Sequence, residues 1–235
     1  MIDTHCHLDV HDDPIGLAGD FEARQNDCVA VTALPSHYRL AIPHLKRFSK
    51  VHAALGLHPL RVNEGQKEVN DFILYAEDCN FIGEVGLDFS REGYKTKKNQ
   101  IEVLLRIIDT FKNGKFVSIH SRGAAYELID ILDQHMVKPV CFHYFTDGLN
   151  VASVAVKAGH YFSFNHRMLN GVHKGLLDII PQNRVLVESD APFLSQSPIS
   201  DLKKIYSMIA EYWNLSLFET INLIAQNFIN CRTVG

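Results

Sequence analysis

Phe81-Ile82-Gly83-Glu84-Val85-Gly86-Leu87, followed by Asp88, is a short apolar run of strand length that carries a carboxylate. Seven similar runs accompany it: Ile2 to His7, Val29 to Leu34, Val51 to Leu57, Phe116 to Ile119, Val140 to Tyr144, Tyr161 to Phe164 and Val185 to Ser189. Longer segments with helical spacing separate most of them. Asn99 to Lys112 and Ala124 to Gln134 repeat apolar residues every three or four positions, Thr146 to Lys157 does so more weakly, and Ser200 to Asn230 reads as two further helices. Strands that each return through a crossover build a parallel sheet whose faces must be covered, and closure removes its edges. The expected fold is therefore α/β, a (β/α)8 barrel of the TIM type, with an open doubly wound sheet as the alternative. No GxGxxG or GxxxxGK[ST] loop follows a strand, so dinucleotide and Walker-type sites find no support.

With 235 residues, 46% of them hydrophobic, the chain has the size at which such a barrel forms one unit, and a single domain over 1–235 is expected. No repeat, low-complexity tract or Pro/Gly-rich linker divides it. No apolar stretch approaches the ~20 residues of a membrane span, and Met1-Ile2-Asp3-Thr4-His5 does not resemble a secretory signal. A cytoplasmic protein with no membrane partner is the expectation. Five scattered cysteines without a CxxC pair read as buried thiols rather than as a disulfide framework or zinc ribbon. A net charge of -4 excludes the broad positive field of a protein that coats nucleic acid, so any phosphate binding must be local.

In Asp3-Thr4-His5-Cys6-His7 the two-residue period of a strand sends both imidazoles to one side and Cys6 to the other. Barrel enzymes build their active sites at the C-terminal ends of the strands. The same level on later strands holds Glu84, His120, His143 and Asp190. Each alone could be a hydrogen-bonded structural group, and Asp190, just before Pro192, also suits a helix N-cap. Six together point to two divalent metal ions. Imidazole and carboxylate donors suit zinc or manganese, and magnesium where water completes the shell. Two cations a few ångströms apart can clamp a phosphodiester, with Glu84 as the shared ligand and Asp190 accepting the proton of the attacking water.

These residues lie in stretches that resemble, in order, the signatures of the TatD family of metal-dependent deoxyribonucleases, which belongs to the amidohydrolase-like barrels. The stretches are DTHCHLD (3–9), GLHP (56–59), IGEVGLDF (82–89), SIHSR (118–122), FHYFTDG (142–148) and VESDAPFL (187–194). The resemblance implies one metal on His5, His7, Glu84 and Asp190, a second on Glu84, His120 and His143, and hydrolysis of DNA, often by an exonuclease. SIHSRGAA (118–125) further resembles the TatD-like component of bacterial Qat anti-phage islands, which implies partner proteins of a defence system. Three departures are visible: Leu60 where the family usually has a second histidine, a short segment from Leu194 to Ser200, and Ser189 in place of a threonine.

Arg122, two residues beyond His120, could hold a phosphate bidentately, and His58 could touch substrate from the third strand end, although Pro59 gives it a turn role of equal weight. Arg91, Lys95, Lys97 and Lys98 could track a nucleic-acid backbone, and Phe89, Tyr94, Tyr144, Phe145 and Phe164 could stack on bases, though such residues also serve as solvated surface and core. Two alternatives compete with a nuclease. One is a deacylase or amidohydrolase, including one that removes D-amino acids from tRNA; the other is a subunit whose main role is interaction within a defence complex.

Overall fold

The computed structural model describes residues 1–233. Its strands run parallel in chain order: β1 (Ile2–Cys6), β2 (Asp27–Ala30), β3 (Val51–Ala53), β4 (Phe81–Gly86), β5 (Phe116–His120), β6 (Cys141–Phe142), β7 (Tyr161–Phe164) and β8 (Val185–Val187). β1 to β3 form one ladder and β4 to β8 another. Backbone bonds join them on both sides. Leu55 N donates to Phe81 O and Gly83 N to Leu55 O, both at 2.9 Å, while Asp190 N reaches His5 O at 3.0 Å and His7 N reaches Ala191 O at 2.7 Å. The expected closed barrel is formed, and among the described residues no long sheet edge is left to pair with another chain.

Helices α1 (Pro14–Ala23), α2 (Pro35–Leu45), α3 (Gln66–Ala76), α4 (Lys97–Ile107), α5 (Ala125–Gln134), α6 (Leu149–Lys157) and the short α7 (His166–Asn170) follow β1 to β7 in turn. α8 (Pro198–Trp213) and α9 (Leu217–Asn230) follow β8, and Ser216 starts α9 with a reciprocal capping box to Glu219. The outer ring packs by its apolar stripe: Leu128 and Leu132 of α5 are fully buried, as are Phe21 of α1 and Phe72 of α3. The first two helices carry weak sequence signals because Gly16 and Gly19 dilute the pattern of α1 and Pro43 sits inside α2. Several strands are shorter than their apolar runs. His7, Leu57, Leu87, Tyr144 and Ser189 lie past the regular ladder, where the chain bends into the loops above the barrel.

Two glycines let those ends come together. A Cβ on Gly56 would lie 1.5 Å from Thr32 O, and one on Gly86 would lie 2.1 Å from His120 O, at a φ of +135° that side chains rarely adopt. The backbone beyond β3 can therefore lie directly on the end of β2, and that of β4 on β5. Among the described residues no helix is long and apolar enough to cross a membrane, and all five cysteines are buried and free.

Candidate metal centre

His5 and His7 leave β1 on the same side, with their Nε2 atoms 3.1 Å apart, as the strand period requires. Glu84 on β4 stands at the centre of the group, and its two oxygens face different partners. Oε1 lies 2.6 Å from His120 Nδ1 on β5, 2.9 Å from His143 Nε2 just beyond β6 and 3.5 Å from His58 Nε2. Oε2 lies 3.5 Å from His7 Nε2 and 3.7 Å from His5 Nε2. Asp190, past the end of β8, puts Oδ1 3.7 and 4.0 Å from the same two nitrogens. The fold thus brings together all six residues read as ligands from the sequence. Asp190 caps no helix, because α8 begins only at Pro198.

A second layer of polar groups orients the first. Ser118 Oγ is 2.8 Å from His5 Nδ1, Asp88 Oδ2 is 2.9 Å from His120 Nε2 and Glu188 Oε2 is 3.5 Å from His143 Nδ1. Glu188 is fully buried, and Tyr144 N, Asn165 Nδ2 and Ser163 Oγ donate to it at 3.0, 2.9 and 2.5 Å. Glu188 so held faces His143 Nδ1, a buried nitrogen with no hydrogen-bond partner among the described residues. Asp3 Oδ1 accepts from His5 N at 3.2 Å and Ser189 N at 2.9 Å, tying β1 to the chain after β8. Sequence reasoning assigned no role to Asp88, Glu188, Ser118 or Asp3. A usable signal existed for two of them: Glu188 precedes Asp190 by two positions, and Asp88 closes the run that carries Glu84.

Burial and neighbouring charges set the protonation of this cluster. Burial, reinforced by neighbouring histidines, pushes His5 down to about 4 and His7 to about 3, so both present neutral imidazoles with a free lone pair. Burial also drives the Asp190 carboxyl up to about 8, helped by the charges of Glu188, Glu84 and Asp3. Glu84 is held well below the carboxylate range, since His58, His143 and His120 outweigh its burial. His120 and His143 are raised: burial opposes their charge, but Asp88 and Glu84 beside the first, and Glu84 and Glu188 beside the second, prevail. The His5 and His7 nitrogens, 3.1 Å apart and within 4.0 Å of carboxylate oxygens of Glu84 and Asp190, are a mixed imidazole and carboxylate donor set of the kind a divalent cation takes. Candidate ligand atoms of His5, His7 and Asp190, and of His58, Glu84 and His120, lie within 4.8 Å of one another. The residues present fit a bound metal.

Above the cluster opens a cavity of about 430 Å³ that also takes in Ser121, Arg122, Tyr144, Thr146, Arg167 and Phe193. Both substrate candidates line it. His58 Nδ1 accepts Leu60 N at 3.1 Å in the turn at Pro59, while Nε2 faces Glu84. Of the basic run, Lys97 lies over the Phe89 ring and Lys98 pairs with Glu102, and none of the four lines this cavity. Among the five aromatics only Tyr144 reaches it; Phe145 and Phe164 are fully buried in the core.

A closed α/β barrel that gathers imidazoles and carboxylates at the C-terminal ends of its strands is the architecture of a metal-dependent hydrolase. The chain belongs to the TatD-related DNase family, whose profile matches residues 2–232. It is 30% identical to human deoxyribonuclease TATDN3 over 253 residues, spanning 97% of this chain and 92% of that one. It is also 30% identical over 214 residues to the metal-dependent hydrolase YcfH of Escherichia coli K12, covering 84% and 80% of the two chains. Among solved structures, a TatD-family hydrolase of Entamoeba histolytica superposes with a TM-score of 0.84 at 16% identity, over 99% of this chain and 97% of that one. The TatD homologue YJJV of Escherichia coli K12 does so with a TM-score of 0.77 at 19% identity, over 97% and 95%. These two likenesses concern the fold.

Proposed function

We propose that this chain, acting as one domain over 1–235, hydrolyses phosphodiester bonds of DNA as an exonuclease with two divalent cations. The observation that carries this reading is the division of Glu84, one oxygen toward His5 and His7 and the other toward His120 and His143. His5, His7, Glu84 and Asp190 would hold one cation, and Glu84, His120 and His143 the other. Bound there, magnesium, manganese or zinc would supply an activated water and neutralise charge on the leaving oxygen.

The chain's own residues do the rest. Neutral His5 and His7 offer lone pairs without first losing a proton. Asp190, which lines the cavity, takes the proton of the attacking water. Arg122 and His58 face the same space and hold the phosphate on either side of the bond that breaks. Membership in a DNase family and the likeness to human TATDN3 support DNA as the substrate.

Incubation of purified protein with end-labelled single- and double-stranded DNA, in EDTA or with each cation, tests the reading. Cation-dependent shortening is expected from the wild type and not from the Glu84→Ala, Asp190→Ala double mutant. Intact DNA under every condition, with metal demonstrably bound, would overturn it. The resemblance of the stretch 118–125 to a TatD-like defence component supports a narrower role in anti-phage defence with partner proteins, and a cytoplasmic location belongs to the same proposal. Cells carrying the double mutant should then assemble the complex and lose protection.

A further inference from the structure

At the end of the barrel opposite the metal centre lies a cavity of about 520 Å³, where Lys138 before β6, Arg184 before β8 and Arg232 after α9 meet beside Tyr161, the first residue of β7. None of the residues that line it is acidic, and Asn183 and Asn230 add side-chain amides that can donate. Arg184 lies over the Tyr161 ring, 4.7 Å from its centroid, and Arg232 lies over Phe81 and Phe228 at 4.7 and 5.3 Å. A guanidinium held by its face keeps the N–H groups of its edge for an acceptor. The protein itself supplies few acceptors here. Among the described residues, Arg232 Nη1 reaches Asn80 O at 3.4 Å, and Lys138 has an exposed pairing with Asp133 at 3.8 Å, of a kind that contributes little. The positive field is felt in the interior: His160, buried just before β7 with Nδ1 accepting from Val140 N at 3.2 Å, is pulled down to about 4 by burial and by Lys138 and Arg184. Like charges gathered where such barrels ordinarily supply packing repel one another, and an anion between them relieves the repulsion.

We propose that this cavity binds a small phosphate-bearing ligand, a phosphate monoester or a diphosphate, on Arg184, Arg232 and Lys138. Guanidinium forks match phosphate oxygens in pairs, and the lysine adds a point charge. The cations converge on one space of small-molecule size instead of forming a row, and a net charge of -4 gives no broad positive field for a nucleic-acid strand. The site is separate from the metal centre and stands whether or not the nuclease reading holds.

Calorimetric titration of metal-stripped, chelator-free protein with inorganic phosphate and with diphosphate, in ~0.15 M NaCl, tests the site. Saturable binding with a Kd of about 1 mM or tighter is expected, and the side-chain amide resonances of Asn183 and Asn230 should move with the same midpoint. Arg184→Gln should weaken binding by roughly 10- to 100-fold, and Arg184→Lys by less, because the charge remains. Lys138 is exposed, so Lys138→Gln keeps the fold and should weaken binding by about 2- to 5-fold. No saturation up to about 10 mM with either probe would overturn the inference. So would binding that neither charge-removing variant weakens, or that leaves both amide resonances unmoved, because the phosphate would then sit elsewhere.

Discussion

Asp190 shows most plainly how a single side chain couples protons to metal in this site. Its carboxyl is pushed up to about 8 by burial among Glu188, Glu84 and Asp3, against ~3.9 for an exposed aspartate in an unfolded chain. The metal-free folded protein therefore keeps a proton that the unfolded chain has lost. That stabilisation is complete below pH ~4 and disappears as pH rises through about 8. A cation must displace this proton, so cation affinity should climb with pH toward about 8, by up to roughly tenfold per unit for each proton released. His120 and His143, whose protons are also held more tightly than usual, act in the same direction, while His5 and His7 are already neutral above pH 5 and add nothing. Calorimetric titration with manganese at three pH values would measure the slope, and Asp190→Asn should lower it by about one proton. An identical slope in the variant would show that Asp190 is not where the exchange occurs. Residue types at this scale were readable in advance: six candidate donors stand at strand ends, and Arg122 and His58, which line the cavity, stand beside them in the sequence.

At the scale of the element, the end of β8 connects the site to β6 and β7. Glu188 takes hydrogen bonds from Ser163 on β7, from Asn165 just after it and from Tyr144 N after β6, and with the same carboxylate faces His143 Nδ1. Removing its charge while keeping its size leaves the strands in place and frees the imidazole. Glu188→Gln should therefore weaken cation binding or turnover by about 10- to 100-fold, as loss of an orienting partner commonly does. Metal content after dialysis and steady-state rates would both report it, and wild-type behaviour in both would exclude a positioning role. The sequence marks Glu188 only by its place two positions before Asp190; its role was not legible, because a carboxylate in VESD looks the same whether it meets a metal, an imidazole or solvent. Its partners come from segments 23 to 45 positions away.

For the whole molecule, the site is also a source of strain that a ligand relieves, since carboxylates and imidazoles from β1, β4, β5 and the segments after β6 and β8 crowd one end of the barrel. A cation that binds only the folded chain stabilises it by ~2.7 kcal/mol at a hundred times its Kd. For a chain of this length that is a rise in Tm of roughly 5 to 10 °C, which EDTA should reverse and scanning calorimetry would detect. No rise with any of the three cations would argue against a metal held by these five elements. The amino-acid sequence by itself determined the eight-strand rhythm, the barrel and the six convergent donors, because strand periodicity and the placement of active sites in such barrels are local and general rules. It did not reveal α1 and α2, whose glycines and proline blur the apolar pattern, nor that Arg167 and Phe193 line the cavity. Only the tertiary structure decided how Glu84 divides its oxygens, which groups hold the histidines and what lines the cavity. Spacing along one strand follows from backbone geometry, whereas distances between strand ends follow from barrel register and closure, which join residues far apart in the chain.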